Sequence, residues 1–191
     1  MPAAAETRRL HGAAVDFPRL QLEVALEIDR MRLIEGQLSR LGREIEALYL
    51  AAIASARRSI YLESQYFSAH RIGEALAQRL AEPDGPEVVV VNPDRAKGWL
   101  EEEVMGAGRA LLLGRLREAD LYGRLRFCTP VTAGGAAIYV HAKVLVVDDT
   151  LLRIGSSNIN NRSMGVDTEC DLAVEVRPED ARAPDVRAAI L

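Results

Sequence analysis

From Glu44 onward, segments with helical spacing of apolar residues alternate with short runs rich in valine, isoleucine and leucine. The run EVVVVN at residues 87–92, with its consecutive β-branched valines, is typical of a strand covered on both faces. Further strands are predicted at residues 59–64, 125–130, 136–149, 151–157 and 169–176, and helices at residues 44–56, 70–82, 98–120 and after residue 176. This alternation predicts an α/β domain in which a mixed β-sheet is flanked by helices.

The first 43 residues differ from this pattern. Residues 1–16 form a tail of small and mixed residues, and residues 17–42 place apolar side chains at helical spacing. Alternating apolar residues between Leu20 and Ile28 also fit a strand, but the Glu, Ala, Leu and Gln content favours a helix. We therefore predict a helical N-terminal extension over residues 1–43 and one α/β domain over residues 44–191.

Composition limits the classes of function. A net charge of −4 argues against the large basic surface that drives non-specific binding to DNA. Cys128 and Cys170 lack the spacing of a zinc site, which predicts reduced, packed thiols in a reducing compartment, with a single disulfide as the alternative. Neither a signal peptide nor eighteen consecutive apolar residues is present, so we expect a cytoplasmic protein.

A pair of polar residues interrupts an apolar predicted strand at residues 136–149. Period-two geometry places His141 and Lys143 on one face, together with Leu145 and Val147. Lysine is rarely buried without a partner, and the 24 basic residues of the chain include only two lysines. We therefore predict that an anion binds beside Lys143.

The next predicted strand returns small hydrogen-bonding residues to the neighbourhood of the histidine. It runs antiparallel after a turn at residues 148–150 and leads into Gly155, Ser156 and Asn158. Glycine permits a close approach of backbone to ligand. The hydroxyl of Ser156, the amide of Asn158 and the ammonium of Lys143 can surround the non-bridging oxygens of a phosphate. This donor set predicts displacement chemistry at phosphorus.

The whole string HAKVLVVDDTLLRIGSSN, residues 141–158, has the pattern His-x-Lys, four residues, Asp, six residues, Gly-Ser-x-Asn, and in this it resembles the phospholipase D superfamily. The downstream NINNRSMGVDTEC also resembles the family, and IYLESQYF at residues 60–67 resembles the segment that opens the second half of two-copy phospholipases D. The resemblance covers residues 44–176. It implies that the α/β domain is a phospholipase D-like domain, one half of the usual two-domain arrangement.

The resemblance implies a two-step transfer that needs neither metal nor cofactor. One histidine attacks phosphorus, a second protonates the leaving alcohol, and water or another alcohol resolves the phosphohistidine. The implied catalytic residues are His141, Lys143, Asp148, Asn158 and Glu169, and the implied substrate-binding residues are Gly155, Ser156 and Gln65. Lys143 and Asn158 would stabilise developing charge, and Glu169 fits the position that orients the histidine. We interpret Asp148 as structural, holding the hairpin and balancing the charge of Lys143.

The family's active site uses two copies of the motif, and this sequence contains one. His11 and His70 are not followed by lysine two residues later. The second motif would come from a homodimer mate, as in single-motif nucleases of the family, or from a missing N-terminal half, which the likeness to a second half favours. His141 is then either the nucleophile or the general acid, and the sequence leaves both roles open.

We expect phosphodiester hydrolysis or transphosphatidylation, with phospholipid favoured as substrate because of the resemblance to two-copy lipases. A phospholipid substrate would bring this cytoplasmic chain into peripheral contact with a membrane. One alternative is a dimeric nuclease or phosphodiesterase of the same superfamily. Nucleic acid is less favoured because the arginines are scattered along the chain. The other alternative is a catalytically silent half or truncated fragment that needs a second motif.

Overall fold

The computed structural model describes residues 17–94, 99–177 and 179. Within them it has three helices, α1 (Phe17–Ser55), α2 (His70–Ala81) and α3 (Trp99–Ala119), and six strands, β1 (Ser59–Glu63), β2 (Glu87–Val91), β3 (Leu125–Cys128), β4 (Val144–Val147), β5 (Leu151–Gly155) and β6 (Asp171–Glu175). The chain divides into two compact units, Met1–Gln37 and Leu38–Leu191. The predicted helix after residue 176 lies outside the described residues.

The two helices predicted before β1 are one helix, α1. The helix continues through Gly42, which is buried. A Cβ at Gly42 would be 2.8 Å from the backbone of Gly165, so the lack of a side chain permits this close packing. The predicted boundary after residue 43 falls inside α1, and the division into extension and domain stays a prediction.

The six strands form one mixed sheet in the order β3-β2-β1-β4-β5-β6. β1 pairs parallel with β2, and β2 with β3, whereas β1–β4, β4–β5 and β5–β6 are antiparallel. On β2, Val88 and Val90 are buried and the valines between and after them are half-buried, in line with cover on both faces. The main core contains Ile53, Ile60, Leu62, Ile72, Leu76, Leu80, Val88, Val90, Leu116 and Leu145. The α/β architecture with a mixed sheet is thus confirmed.

The strand predicted at residues 136–149 is shorter, since only Val144–Val147 form β4. β1 and β5 both stop pairing with it at Val144, and although the Lys143 carbonyl oxygen still accepts the backbone N–H of Gly155 at 3.2 Å, residues 138–143 are not part of a strand. His141 and Lys143 therefore lie in the segment that leads into the strand. The alternation still holds for Lys143, Leu145 and Val147, which are buried, but His141 is exposed.

The structure also bears on the predictions for the two cysteines, for His70 and for membrane-spanning segments. Cys128 and Cys170 are free, but both are exposed, so their predicted packing is wrong. Their strand-end positions at β3 and before β6 leave them outside the core. His70 begins α2, where the predicted helix over residues 70–82 begins, and it is exposed. None of the helices in the described residues is long and apolar enough to cross a membrane.

Candidate active site

A cleft of about 650 Å³ opens where β4 begins and β5 ends. It is lined by His141, Lys143, Gly155, Ser156, Asn158, Asp167, Thr168 and Glu169. The antiparallel hairpin explains this, because the residues before β4 and after β5 meet at the same edge of the sheet. The structure therefore brings together the predicted site residues except Asp148 and Gln65.

Lys143 is buried at the floor of the cleft, with 7% of its surface exposed. Its Nζ donates to the backbone oxygen of His141 at 2.7 Å and to Oε1 of Gln65 at 3.3 Å. Burial lowers the pKa of the Lys143 ammonium, while the carboxylate of Glu169 opposes this and the guanidinium of Arg153 adds to it. An ammonium has three donors, so a third remains to bind an anion in the cleft.

Gln65 lies behind Lys143 and does not line the cleft. Besides accepting from Lys143, it donates through Nε2 to the hydroxyl of Tyr139 at 2.7 Å and to that of Tyr66 at 2.9 Å. These bonds fix the side chain of Gln65 and, through it, the ammonium. The position fits a residue that orients Lys143 better than one that contacts substrate directly.

Ser156 and Glu169 form a hydrogen-bonded pair at the rim. Ser156 Oγ donates to Glu169 Oε2 at 2.5 Å and accepts the backbone N–H of Cys170 at 2.9 Å. Across the described residues, Glu169 makes no hydrogen bond or ion pair with His141. Its carboxylate instead acts on the charge of Lys143. The role of orienting His141 stays a prediction, and Ser156 has the observed role of holding Glu169.

Asn158 lies in the loop after β5, and its side chain lines the cleft. Its backbone N–H donates to Ser163 Oγ at 3.1 Å, which holds the loop after β5. Its Oδ1 is buried and makes no hydrogen bond within the described part of the chain. Buried amide oxygens are rarely left without a donor. An amide oxygen only accepts, so Oδ1 cannot bind the oxygens of a phosphate; the side chain lines the cleft, and its amide nitrogen is the group that can donate to them.

A buried ion pair lies beneath the cleft. The sequence did not predict this pair. Arg153 is fully buried and forms an ion pair with Asp171. Its guanidinium donates to the backbone oxygens of Lys143 at 3.1 Å and Ser157 at 3.3 Å, and lies 5.0 Å from the ring centroid of Tyr49. The pair thus connects both strands that carry the cleft. An arginine inside the apolar run LLRIG was the available signal.

Gly155 packs against this pair and also borders the cleft. It lies opposite Asp171 in the β5–β6 register, and a Cβ at this position would overlap the Asp171 side chain and backbone. Any other residue would displace Asp171 from Arg153 and Ser157. Close strand packing accounts for the glycine, and its expected contact with a ligand stays a prediction, since Gly155 also borders the cleft.

Asp148 lies at the opposite end of β4 from Lys143. Its carboxylate accepts the backbone N–H groups of Arg57, Arg58 and Ser59 at 3.0, 2.8 and 2.9 Å, which ties the hairpin to the start of β1. Its φ of 53° suits the turn, because aspartate tolerates the left-handed region. The structural interpretation fits this placement, but the predicted balance of the Lys143 charge is wrong, because β4 separates the two groups.

The charge of Asp148 should make stability depend on pH. Burial alone would raise the pKa of this carboxyl, but the three N–H donors and the charge of Arg58 lower it below its ordinary value of 3.8. Because the pKa of Asp148 is lower in the folded state, its ionised carboxylate stabilises the fold at pH values above the ordinary pKa. This stabilisation is lost as the pH falls through the folded-state pKa.

We therefore expect Asp148→Asn to lower the free energy of unfolding by about 1 to 2 kcal/mol at pH 7 and by progressively less in acid. Urea unfolding from pH 7 to pH 3 measures this difference. Asp84→Asn, which removes an exposed carboxylate, is the matched control and should change stability by less than about 0.5 kcal/mol. A deficit that grows towards low pH would contradict the assignment.

Similarity to known proteins agrees with the fold. Residues 49–183 match the family described as cardiolipin synthase, PLD-like domain, where PLD denotes phospholipase D. The chain belongs to the phospholipase D superfamily. Over 173 residues it is 32% identical to phospholipase D1 of Homo sapiens, an alignment that covers 70% of this chain and 16% of that protein. The phospholipase D-like chain thus spans about a sixth of the length of this relative.

Solved structures share the phospholipase D-like fold. One is Nuc, a phospholipase D family member from Salmonella typhimurium, with a TM-score of 0.53 and 22% identity over 76% of this chain and 83% of that chain. Another is the phosphatidylserine synthase of Haemophilus influenzae Rd KW20, with a TM-score of 0.54 and 15% identity over 77% of this chain and 35% of that chain. Chains with this fold therefore occur both near the present size and as larger proteins.

Proposed function

We propose that this phospholipase D-like domain contributes one half of a phosphodiester-transfer site. The observation that carries the proposal is a buried ammonium, Lys143, beside an exposed imidazole, His141, in one open cleft. The ammonium binds the phosphate, and the imidazole is accessible to the reacting phosphorus or to the leaving oxygen. Asn158 supplies a further polar group at the same wall.

The proposed reaction proceeds through a phosphohistidine. A histidine nitrogen forms a bond to phosphorus while the bond from phosphorus to the leaving oxygen breaks, and a second histidine gives that oxygen a proton. Water or another alcohol then attacks phosphorus, releases the histidine and returns the proton to the second one. Lys143 and Asn158 stabilise the charge on the non-bridging oxygens, a contribution that is commonly the largest in such reactions.

The second histidine comes from outside this copy of the chain. Among the described residues the other histidine, His70 at the start of α2, does not line the cleft; His11 lies outside them, and neither belongs to a second copy of the motif. We propose that a second copy of the chain supplies it, with the other half of a longer enzyme as the alternative. This choice rests on the chain itself, since a second copy brings the same motif with its own His141. In a symmetric pair the two copies of His141 would divide the nucleophile and acid roles.

Phospholipid is the favoured substrate. The similarity to proteins named phospholipase D and the net charge of −4 support it. Such a substrate places the chain at a membrane surface, with the cytoplasmic location that the sequence predicts. The second candidate is nucleic acid, which the similarity in fold to Nuc and to NucT from Helicobacter pylori keeps open.

We expect the purified chain to hydrolyse phosphatidylcholine in mixed micelles and to show no salt-sensitive binding to duplex DNA. A chain with this charge lacks the cationic surface that releases counterions from DNA, so the affinity should hardly change with salt. Choline release and DNA titrations at low and physiological salt are the measurements. DNA binding that weakens steeply with salt, together with no release of choline from the micelles, would favour nucleic acid as the substrate.

A further inference from the structure

The residues that follow β1 make hydrogen bonds to two of the segments that form the active-site cleft. They begin with Ser64 and Gln65, within the run IYLESQYF at residues 60–67. Ser64 is fully buried and Gln65 is half-buried. Gln65 accepts a hydrogen bond from Lys143, and Ser64 binds the loop that carries Asn158. One short segment therefore contacts the surroundings of both groups that are proposed to bind the phosphate.

The hydroxyl of Ser64 acts as both a donor and an acceptor. Its Oγ donates to the backbone oxygen of Tyr66 at 2.6 Å and accepts the backbone N–H of Ile159 at 3.1 Å. Ile159 is itself fully buried, and its backbone oxygen accepts the N–H groups of residues 68 and 69 at 2.7 and 3.1 Å. Both polar groups of the Ile159 backbone are thus bound by the segment after β1.

These bonds fix the peptide unit that follows Asn158. The carbonyl group of Asn158 and the N–H of Ile159 belong to one planar unit, so a bond to that N–H sets the orientation of the whole unit. The carbonyl oxygen accepts the N–H of Asn160 at 2.9 Å, and the N–H of Asn158 donates to Ser163 Oγ on the preceding side. Because the peptide units on both sides are held, the direction in which the Asn158 side chain leaves the backbone is fixed.

Ser64 is in turn anchored in the sheet. Its N–H donates to the backbone oxygen of Val91 at 3.2 Å, which extends the pairing of β1 with β2 by one bond. Its backbone oxygen accepts the side-chain amide of Asn92 at 2.6 Å. Asn92 is fully buried and accepts from Arg109 of α3 at 3.1 Å. The hydroxyl of Ser64 therefore has a defined position relative to the central strands.

The adjacent residue makes the corresponding contact on the other side. Gln65 Oε1 accepts from Lys143 Nζ, while Gln65 Nε2 donates to two tyrosine hydroxyls. Because Ser64 and Gln65 are neighbours in sequence, a single peptide bond joins the residue that holds the Asn158 loop to the residue that holds the ammonium. A phosphate can accept from both groups only if their spacing is maintained within a few tenths of an ångström.

We propose that Ser64 is a positioning residue for Asn158 and that, together with Gln65, it sets the spacing at which Lys143 and Asn158 bind one phosphate group. The inference rests on the proposed function for the identity of the anion. Without the hydroxyl of Ser64, the N–H of Ile159 loses this acceptor and the peptide unit after Asn158 can rotate. The amide of Asn158 then no longer donates to the phosphate oxygen.

The test uses inorganic phosphate as the probe, and NMR titrations of the full chain give its Kd. We expect Ser64→Ala to raise the Kd about 5-fold, close to the effect of Asn158→Ala, because both lose the same hydrogen bond to phosphate. In the Asn158→Ala background, Ser64→Ala should change the Kd by less than about 2-fold, since the amide through which Ser64 acts is absent. Gln65→Leu acts through Lys143 and should raise the Kd in either background.

Ser55→Ala is the matched control. Ser55 Oγ donates to the backbone oxygen of Ala52 in the last turn of α1, and it contacts neither cleft segment. This variant should leave the Kd unchanged. Circular dichroism verifies that each variant is folded. If Ser64→Ala does not fold, Ser64→Cys, whose thiol is only a weak acceptor, should show the same dependence on Asn158.

An unchanged Kd in the Ser64 variant, an equal increase with and without the amide of Asn158, or no saturable binding of phosphate by the native chain would each overturn the inference. Failure of the proposed function has another signature. In that case phosphate binds with the expected pattern, but His141-dependent hydrolysis of bis(p-nitrophenyl) phosphate is absent.

Discussion

Arg153→Ala is expected to lower the free energy of unfolding by about 3 to 5 kcal/mol, because it leaves the carboxylate of Asp171 buried without its partner. The arginine is fully buried, and its removal also frees the carbonyl oxygens of Lys143 and Ser157. Guanidinium chloride unfolding at pH 7 measures the loss. The same substitution should disturb the cleft, since both carbonyls belong to segments that form it.

An exposed pair provides the matched control for Arg153. Arg162 and Asp167 form an ion pair at 2.8 Å on the surface, and Arg162→Ala should cost less than about 1 kcal/mol. Removing both buried charges in Arg153→Met with Asp171→Asn should destabilise less than the sum of the single changes, because no unpaired charge remains. A loss for Arg153→Ala as small as that for Arg162→Ala would contradict the buried pair.

His141→Asn is expected to reduce kcat for a phosphodiester by at least about 10²- to 10⁴-fold, the range for loss of a group that transfers a proton or forms a covalent bond. The residue is exposed, so the stability of the variant should remain within about 0.5 kcal/mol of the native protein. Steady-state kinetics on bis(p-nitrophenyl) phosphate, combined with urea unfolding, separate these two effects.

His70→Asn is the control for His141, because His70 is an exposed histidine outside the cleft. Its activity should match that of the native chain. Lys143→Gln should lose a large part of the activity as well, since the buried ammonium would be replaced by a neutral amide. Equal activity of the His70 and His141 variants would exclude His141 from the reaction.

Local sequence patterns predicted most strands and helices. They were wrong about the ends of elements where contacts between residues distant in sequence determine those ends. The strand before Asp148 appeared too long because the period of two continues through His141, whereas β1 and β5 provide partners only from Val144. α1 appeared as two helices because Gly42 resembles a stop. Its contact with Gly165, more than a hundred residues later, is invisible to a local pattern.

The same distinction holds for the candidate site. Residues 141–158 form one hairpin, so their spacing alone predicted that His141, Lys143 and Asn158 would meet. The partners of Asp148 are about ninety positions away in sequence, which is why its charge was assigned to Lys143 instead of to the start of β1. Asp171 likewise acquires its role only through sheet pairing, which places it beside Arg153.

The most direct test of the account is the specific activity of the purified chain on bis(p-nitrophenyl) phosphate in the presence of EDTA, measured over a range of protein concentrations. We expect hydrolysis that disappears in His141→Asn and a specific activity that rises with concentration, because two copies of the chain complete one site. Hydrolysis that His141→Asn leaves intact, or none at any concentration, would contradict it.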